Sequence, residues 1–117
     1  MTIAYPSSKT YRYIFAGGGM SALSLVYFLS QSKRAHEPML IIDPSNKTVN
    51  DKIWCYWSDK PEVFDSLAQK SWKNLWFHGP KGNSIALDIA PFEYHKIRSI
   101  DWYQFIKKRL SQFPNIE

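Results

Sequence analysis

The stretch Tyr11-Arg12-Tyr13-Ile14-Phe15-Ala16-Gly17-Gly18-Gly19-Met20-Ser21-Ala22-Leu23-Ser24-Leu25 decides how this chain folds. Its first six residues are rich in aromatic and β-branched side chains and predict a buried strand. Three consecutive glycines end that strand sharply. From Met20 to Ser32, apolar residues recur at Leu23, Val26, Tyr27 and Leu29, the spacing of one helical face. Leu25 and Phe28 add apolar surface elsewhere on the helix, so it is predicted to be largely buried. After a polar connection, Met39 to Ile42 (MLII) forms a second short apolar run between Pro38 and Asp43-Pro44. It reads as another buried strand, one that ends in an acid.

Strand, glycine turn, helix, strand and acid together make a G-x-G-x-x-A pattern in its proper setting. Gly17 turns tightly out of the strand. Gly18 and Gly19 follow, and Gly19 has no Cβ, so a pyrophosphate can come close to the backbone. Met20 and Ser21 open the helix, and Ala22 is small enough for helix and strand to pack tightly. The helix N-terminus offers unpaired N–H groups and a partial positive charge to phosphates. Asp43 stands 24 residues beyond Gly19, where a carboxylate can accept bonds from ribose hydroxyls. The acid favours a free 2′-hydroxyl, hence FAD or NAD over NADP. The pattern predicts an α/β chain, a Rossmann-like FAD/NAD(P)-binding half. A glycine-rich turn without a ligand is the plainer alternative, and the complete context makes it the poorer one.

The sequence beyond Asp43 suits a flavoprotein of the glutathione-reductase type, in which more than one segment reaches an extended FAD. A polar loop, Pro44 to Lys52, leads into a short extended segment, Ile53 to Trp57. Pro61 to Lys70 predicts a short helix with Pro61 in its first turn. A β-hairpin insertion is predicted in the middle, with Trp72 to Phe77 and Ser84 to Ala90 joined by Gly79-Pro80-Lys81-Gly82-Asn83. Tyr94 to Ser99 reads as extended. Ile100 to Phe113 predicts an amphipathic helix with Trp102, Phe105, Ile106, Leu110 and Phe113 on one stripe, Ser99 as its cap and Pro114 as its stop. Asn115-Ile116-Glu117 reads as the start of a further strand, so the domain is expected to be incomplete here. Residues 1–10 are expected to be a flexible N-terminus, and 11–117 one truncated domain without an internal boundary.

Composition sets limits. An apolar share of 44% supports a packed core and excludes a disordered chain. The net charge of +5 is scattered; its densest group, Lys107-Lys108-Arg109, reads as a solvated helix face rather than a nucleic-acid stripe. The longest apolar run, Met20 to Leu29, falls short of the roughly 20 residues that cross a bilayer. Cys55 is the only cysteine, so no internal disulfide forms, which fits a cytoplasmic setting. His36, His78 and His95 stand apart without metal-ligand spacing, and no metal site or catalytic triad is predicted.

Three blocks carry a family resemblance: Tyr13 to Leu25, then Leu40-Ile41-Ile42-Asp43-Pro44, then Asn50-Asp51-Lys52-Ile53-Trp54-Cys55-Tyr56-Trp57. Together they resemble the opening of bacterial lycopene cyclases, whose third block commonly reads N-D-R/K-T-W-C-F-W. Trp76-Phe77-His78-Gly79 and Ile97 to Tyr103 are similar to that family's continuation. Ile53 replaces the usual threonine and removes a hydroxyl; Lys52 replaces a frequent arginine and loses its planar fork. The resemblance implies an FAD-dependent carotenoid cyclase, used with reduced flavin and NAD(P)H as reductant, that closes the ψ-ends of lycopene to β-rings without net redox change. It implies a lipophilic polyene substrate, no nucleic-acid partner, and peripheral attachment to the inner face of the cell membrane. The family's acidic catalytic motif lies further along, so these residues are expected to be an N-terminal fragment that lacks the catalytic acid and is inactive alone.

Lys52 and Arg98 become candidate cofactor contacts on this basis, against the plainer reading of surface ion pairs. Trp54, Tyr56 and Trp57 suit either a polyene channel or, more simply, the core. Two other readings stay open: an FAD-dependent monooxygenase or prenyl reductase fragment, and a nucleotide-binding module without chemistry.

Overall fold

A computed structural model describes residues 8–117, so most of the expected N-terminal tail lies outside the described residues. They form a mixed α/β structure that divides into two compact units. One contains the residues up to Lys47 together with Gln104–Glu117; the other is Thr48–Tyr103.

The first unit is built on a β–α–β crossover. Strand β1 (Tyr13–Ala16) and strand β2 (Met39–Ile42) pair in parallel, with Tyr13 opposite Met39 and Ala16 opposite Ile42. Helix α1 (Met20–Ser30) connects them and buries Leu23, Val26, Tyr27 and Ser30, the i, i+3, i+4, i+7 stripe. The helix is less buried than its sequence predicts, because Leu25 and Phe28 are half exposed on the other faces. The strands are likewise only half covered. Met39 is fully buried, whereas Ile14 and Ile42, which alternate onto the opposite face of the pair, are 62% and 55% exposed.

Residues 115–117 join the sheet on the other edge of β2. Met39 N–H donates to the Asn115 carbonyl (2.9 Å), Ile41 N–H to that of Glu117 (2.7 Å), and Glu117 N–H returns to Met39 (3.0 Å). Ile116 lies parallel to Met39, so the predicted third strand begins as the sequence suggests. The Asn115 side-chain amide also donates to the carbonyls of Ala35 and Glu37, both at 2.8 Å, and holds the turn between α1 and β2.

The second unit is an antiparallel sheet of β3 (Ile53–Ser58), β4 (Lys70–Trp72) and β7 (Glu93–Arg98), in the order β3-β7-β4. The predicted hairpin forms from β5 (Leu75–His78) and β6 (Ser84–Leu87), closed by a bond from Gly79 N–H to the Asn83 carbonyl at 2.8 Å. Both its faces are exposed, Trp76 and Phe77 among them.

The predicted helix over Pro61 to Lys70 is absent; a single 3₁₀ turn, Asp65–Leu67, stands there. The reason is local competition. The Asp65 carboxylate accepts from Glu62 N–H (2.8 Å) and from the Tyr56 hydroxyl (2.6 Å), a side-chain turn that replaces helical bonding. Helix α2 (Ser99–Leu110) contributes residues to both units. In the second, Trp102, Tyr103 and Ile97 form the core, and Trp54 meets Trp102 and Tyr103 edge-on with ring centroids 5.7 Å apart. Burying each such side chain contributes roughly 1.5–3 kcal/mol.

Candidate functional site

The glycine turn leaves β1 at Gly17, whose φ of +112° is open to glycine alone without strain. Its N–H donates to the Ile42 carbonyl at 2.7 Å, which ties the turn to the end of β2. Gly18 is buried against Asp43. Its N–H donates to Asp43 Oδ2 at 2.6 Å, and a Cβ added there would sit 3.3 Å from that of Asp43. Gly19 differs from both. It is exposed, extended (φ −76°, ψ 178°), and nothing lies within 4 Å of where its Cβ would be. Close approach to the backbone from outside is therefore open at Gly19 and closed at Gly18.

Gly19 is the N-cap of α1, and the first helical bond runs from Leu23 N–H to its carbonyl at 3.0 Å. The amides of Met20, Ser21 and Ala22 consequently have no acceptor within the helix. No side chain caps this end and no acid stands in the first turn. A helix N-terminus whose first-turn amides have no side-chain cap offers donors to an anion.

Asp43 lies just past the end of β2. Its Oδ2 accepts from Gly18 and lies 3.4 Å from Lys47 Nζ; its Oδ1 accepts from Ser45 N–H at 2.7 Å. The two amides, Gly18 first, and then Lys47 hold the carboxyl below its usual range despite some desolvation. It is a fixed anion, with lone pairs on both oxygens for further donors. Beside it runs an open cleft of ≈ 350 Å³ walled by Gly18, Asp43, Lys47, Ile106, Lys107 and Leu110.

The sequence reading missed Ser45, Lys47 and Lys107 here. Lys107 sits in the group read as a solvated helix face, yet its ammonium donates to the backbone carbonyls of Asn46 and Lys47. Only the spacing of Lys47, four residues past Asp43, signals its pairing from sequence.

In the second unit, Lys52 and Arg98 come to one end of the sheet, since β3 pairs Ile53 with Arg98 and Ser99 N–H donates to the Lys52 carbonyl at 3.0 Å. Arg98 forks onto Asp101, Nε to Oδ2 at 2.7 Å and Nη2 to Oδ1 at 2.8 Å. Lys52 Nζ lies 3.5 Å from Asp51 Oδ2 and remains largely exposed. Asp51 is tied more firmly: its Oδ1 accepts from the hydroxyls of Ser99 (2.9 Å) and Tyr103 (3.2 Å). The predicted cap role of Ser99 is replaced by this link. Its buried hydroxyl serves Asp51 and accepts from Lys52 N–H (3.0 Å), while Asn50 Oδ1 accepts from Ile100 N–H at 3.4 Å.

The aromatic block divides by strand alternation. Trp54 goes to the core, Tyr56 stacks on His95 at 5.0 Å, and Trp57 is half exposed on the opposite face. His95 is buried with both ring nitrogens bonded to hydroxyls, Ser58 at 2.8 Å and Ser71 at 2.7 Å. Among the described residues no three His, Cys, Asp or Glu side chains gather as metal ligands, and no helix is long and apolar enough to cross a membrane.

No curated protein and no solved structure matches the chain. A family model described as lycopene cyclase protein matches residues 13–114, a span that takes in the glycine turn, Asp43, the Asn50 to Trp57 block and all of α2. By that match, the chain belongs to the lycopene cyclase family.

Proposed function

We propose that the β1–α1–β2 unit is a Rossmann-like site for the ADP part of FAD, within a flavoprotein that cyclises the ends of lycopene. The observation that carries this reading is the juxtaposition at the ends of β1 and β2. An uncapped helix N-terminus and an exposed, sterically open Gly19 adjoin a fixed carboxylate, Asp43. The residues fit the group: the amides of Met20, Ser21 and Ala22 would take the pyrophosphate, and Asp43 the ribose hydroxyls. Gly17 and Gly18 shape the turn that brings them together.

Family membership favours carotenoid cyclisation over hydroxylation or prenyl reduction. In its reduced form the flavin supplies negative charge that favours a cation developing on a protonated polyene end. Taken by itself, the second unit offers Lys52, exposed beside Asp51, and Arg98, held by Asp101, as proposed cofactor contacts. A polyene substrate also makes peripheral membrane attachment part of this reading.

The test is titration of the chain with FAD, followed by flavin fluorescence, for the parent and for Gly19→Val. Saturable binding that the substitution abolishes supports the reading. Absence of binding by the folded parent, or unchanged binding by Gly19→Val, overturns it.

A further inference from the structure

The serine–histidine contacts of His78 and His95 differ in setting. On the β5–β6 hairpin, His78 Nδ1 lies 2.7 Å from the Ser84 hydroxyl, exposed to solvent. In the second unit, His95 stands on the central strand β7, and both neighbouring strands reach its ring. Its Nε2 lies 2.8 Å from Ser58 Oγ and its Nδ1 2.7 Å from Ser71 Oγ. The Tyr56 ring stacks on the imidazole with 27° between the planes, and the Tyr56 hydroxyl donates in turn to Asp65. His95 and Ser58 are 6% and 8% exposed. The imidazole is thus held at both nitrogens and on one face.

The hydroxyl of Ser58 is buried, and a buried O–H needs an acceptor. Nε2 is that acceptor in the tautomer whose Nδ1–H donates to Ser71, the exposed member of the three, which passes its own hydrogen to water. Ser58 and His95 also wall a polar cavity of ≈ 270 Å³, together with Lys60, Asp65 and Glu93. Ser71, on the other ring nitrogen, is not among the lining residues.

We propose that Ser58 is the nucleophile of an acyl-transfer site, with His95 as its general base, Ser71 as the positioning residue behind it, and a small ester of neutral or positive charge as substrate. A hydroxyl within hydrogen-bond reach of a base that a third group orients is the arrangement such chemistry needs. The cavity is smaller than the roughly 300–1,000 Å³ of drug-sized ligand sites, which selects a short acyl group. The carboxylates of Asp65 and Glu93 disfavour an anionic donor. Lys60 brings positive charge to the wall, where negative charge develops on the carbonyl oxygen. In the reaction, Ser58 Oγ bonds to the carbonyl carbon and its proton moves to His95 Nε2. The ester C–O bond breaks, and His95 returns the proton to the leaving oxygen, which departs as an alcohol. Water then attacks the acyl-serine, with His95 taking its proton, and releases the carboxylic acid and free Ser58. This site stands on the second unit alone and is independent of the flavin reading.

The experiment uses p-nitrophenyl acetate as the ester and diisopropyl fluorophosphate as a neutral serine reagent. The variants are Ser58→Ala, His95→Gln, Ser71→Ala and Ser71→Thr, with Ser84→Ala on the hairpin as control, and circular dichroism checks the fold of each. Saturable p-nitrophenol release by the parent is expected, lowered about a hundredfold by Ser58→Ala and by His95→Gln. Ser71→Ala is expected to lower it about tenfold, the worth of one hydrogen bond, and Ser71→Thr to restore it, while Ser84→Ala changes nothing. Peptide mapping of the parent after treatment with the fluorophosphate is expected to find the adduct on Ser58. Mapping is read on the folded parent, so it decides even where a variant fails to fold. No adduct on Ser58, or release unchanged by Ser58→Ala, overturns the proposal and marks the hydrolysis as that of exposed imidazoles. Release by Ser71→Thr as slow as by Ser71→Ala overturns the role of Ser71.

Discussion

The amide of Gly18 donates a 2.6 Å hydrogen bond to Oδ2 of Asp43, so the glycine turn and the acid 25 residues later are one structural unit. The bond fixes the carboxylate beside the first turn of α1 and holds its pKa down. Asp43→Asn keeps an acceptor for Gly18 but removes the charge. Its expected outcome is a folded protein whose FAD affinity falls about tenfold, read by flavin fluorescence. The asparagine has one acceptor oxygen and so serves only one of the amides of Gly18 and Ser45, whereas Asp43→Ala strands both, so its urea midpoint should fall below that of Asp43→Asn.

The three glycines should respond differently to alanine. Gly17→Ala forces a side chain to φ +112° and is expected to cost about 1–3 kcal/mol of stability. Gly18→Ala puts a Cβ 3.3 Å from that of Asp43, and a small displacement of Asp43 should lower FAD affinity more than stability. Gly19→Ala meets no neighbour, so the fold should lose about 1 kcal/mol or less, while a methyl now stands where the pyrophosphate approaches. Urea denaturation and FAD titration on the same three variants separate these outcomes. Equal stability losses at all three positions would contradict the geometry.

The glycine unit was legible because every part of it is local: strand, turn, helix start and acid are spelled out in order along Tyr13 to Asp43. Legibility failed where a distant partner decides. Asp65 looks like an acid in a helix start, and only the Tyr56 hydroxyl, brought beside it from β3, shows why the segment makes a 3₁₀ turn instead. Ser99 looks like an N-cap, yet β3–β7 pairing delivers Asp51 and Lys52 to its hydroxyl. Lys107 looks solvated until the loop at Asn46 and Lys47 comes against it. Strand alternation within Trp54 to Trp57 is readable, but which face meets the core is a tertiary outcome.

Acid should destabilise the protein through a defined set of carboxylates. Asp51 is lowered chiefly by the Ser99 hydroxyl, Asp101 chiefly by Arg98, and Asp43 chiefly by the Gly18 amide, each from a starting value of 3.8. A depressed folded pKa contributes stability that is fully present above the unfolded value and is lost as pH falls through the folded one. Urea midpoints should therefore be flat in these groups above about pH 5 and fall steadily below pH 4. Asp51→Asn should flatten that acid limb while leaving the neutral-pH fold intact. An unchanged limb would show that Asp51 is not among the groups that drive it.

The core of the second unit holds one polar atom out of place. Trp102 is fully buried, touches Trp54, Phe64 and Tyr103, and its indole Nε1 has no hydrogen-bond partner among the described residues. An unpaired buried donor carries a desolvation penalty of about 1–3 kcal/mol, which offsets part of what the ring contributes by burial. Two substitutions distinguish these effects. Trp102→Ala removes the ring and opens a cavity, for a loss of about 3–5 kcal/mol. Trp102→Phe keeps an aromatic face against Trp54 while deleting the unpaired donor, so its loss should be well under half of that. Chemical denaturation of the two variants against the parent checks the ratio. If Trp102→Phe costs as much as Trp102→Ala, the indole N–H is satisfied in solution and the penalty argued for it does not exist.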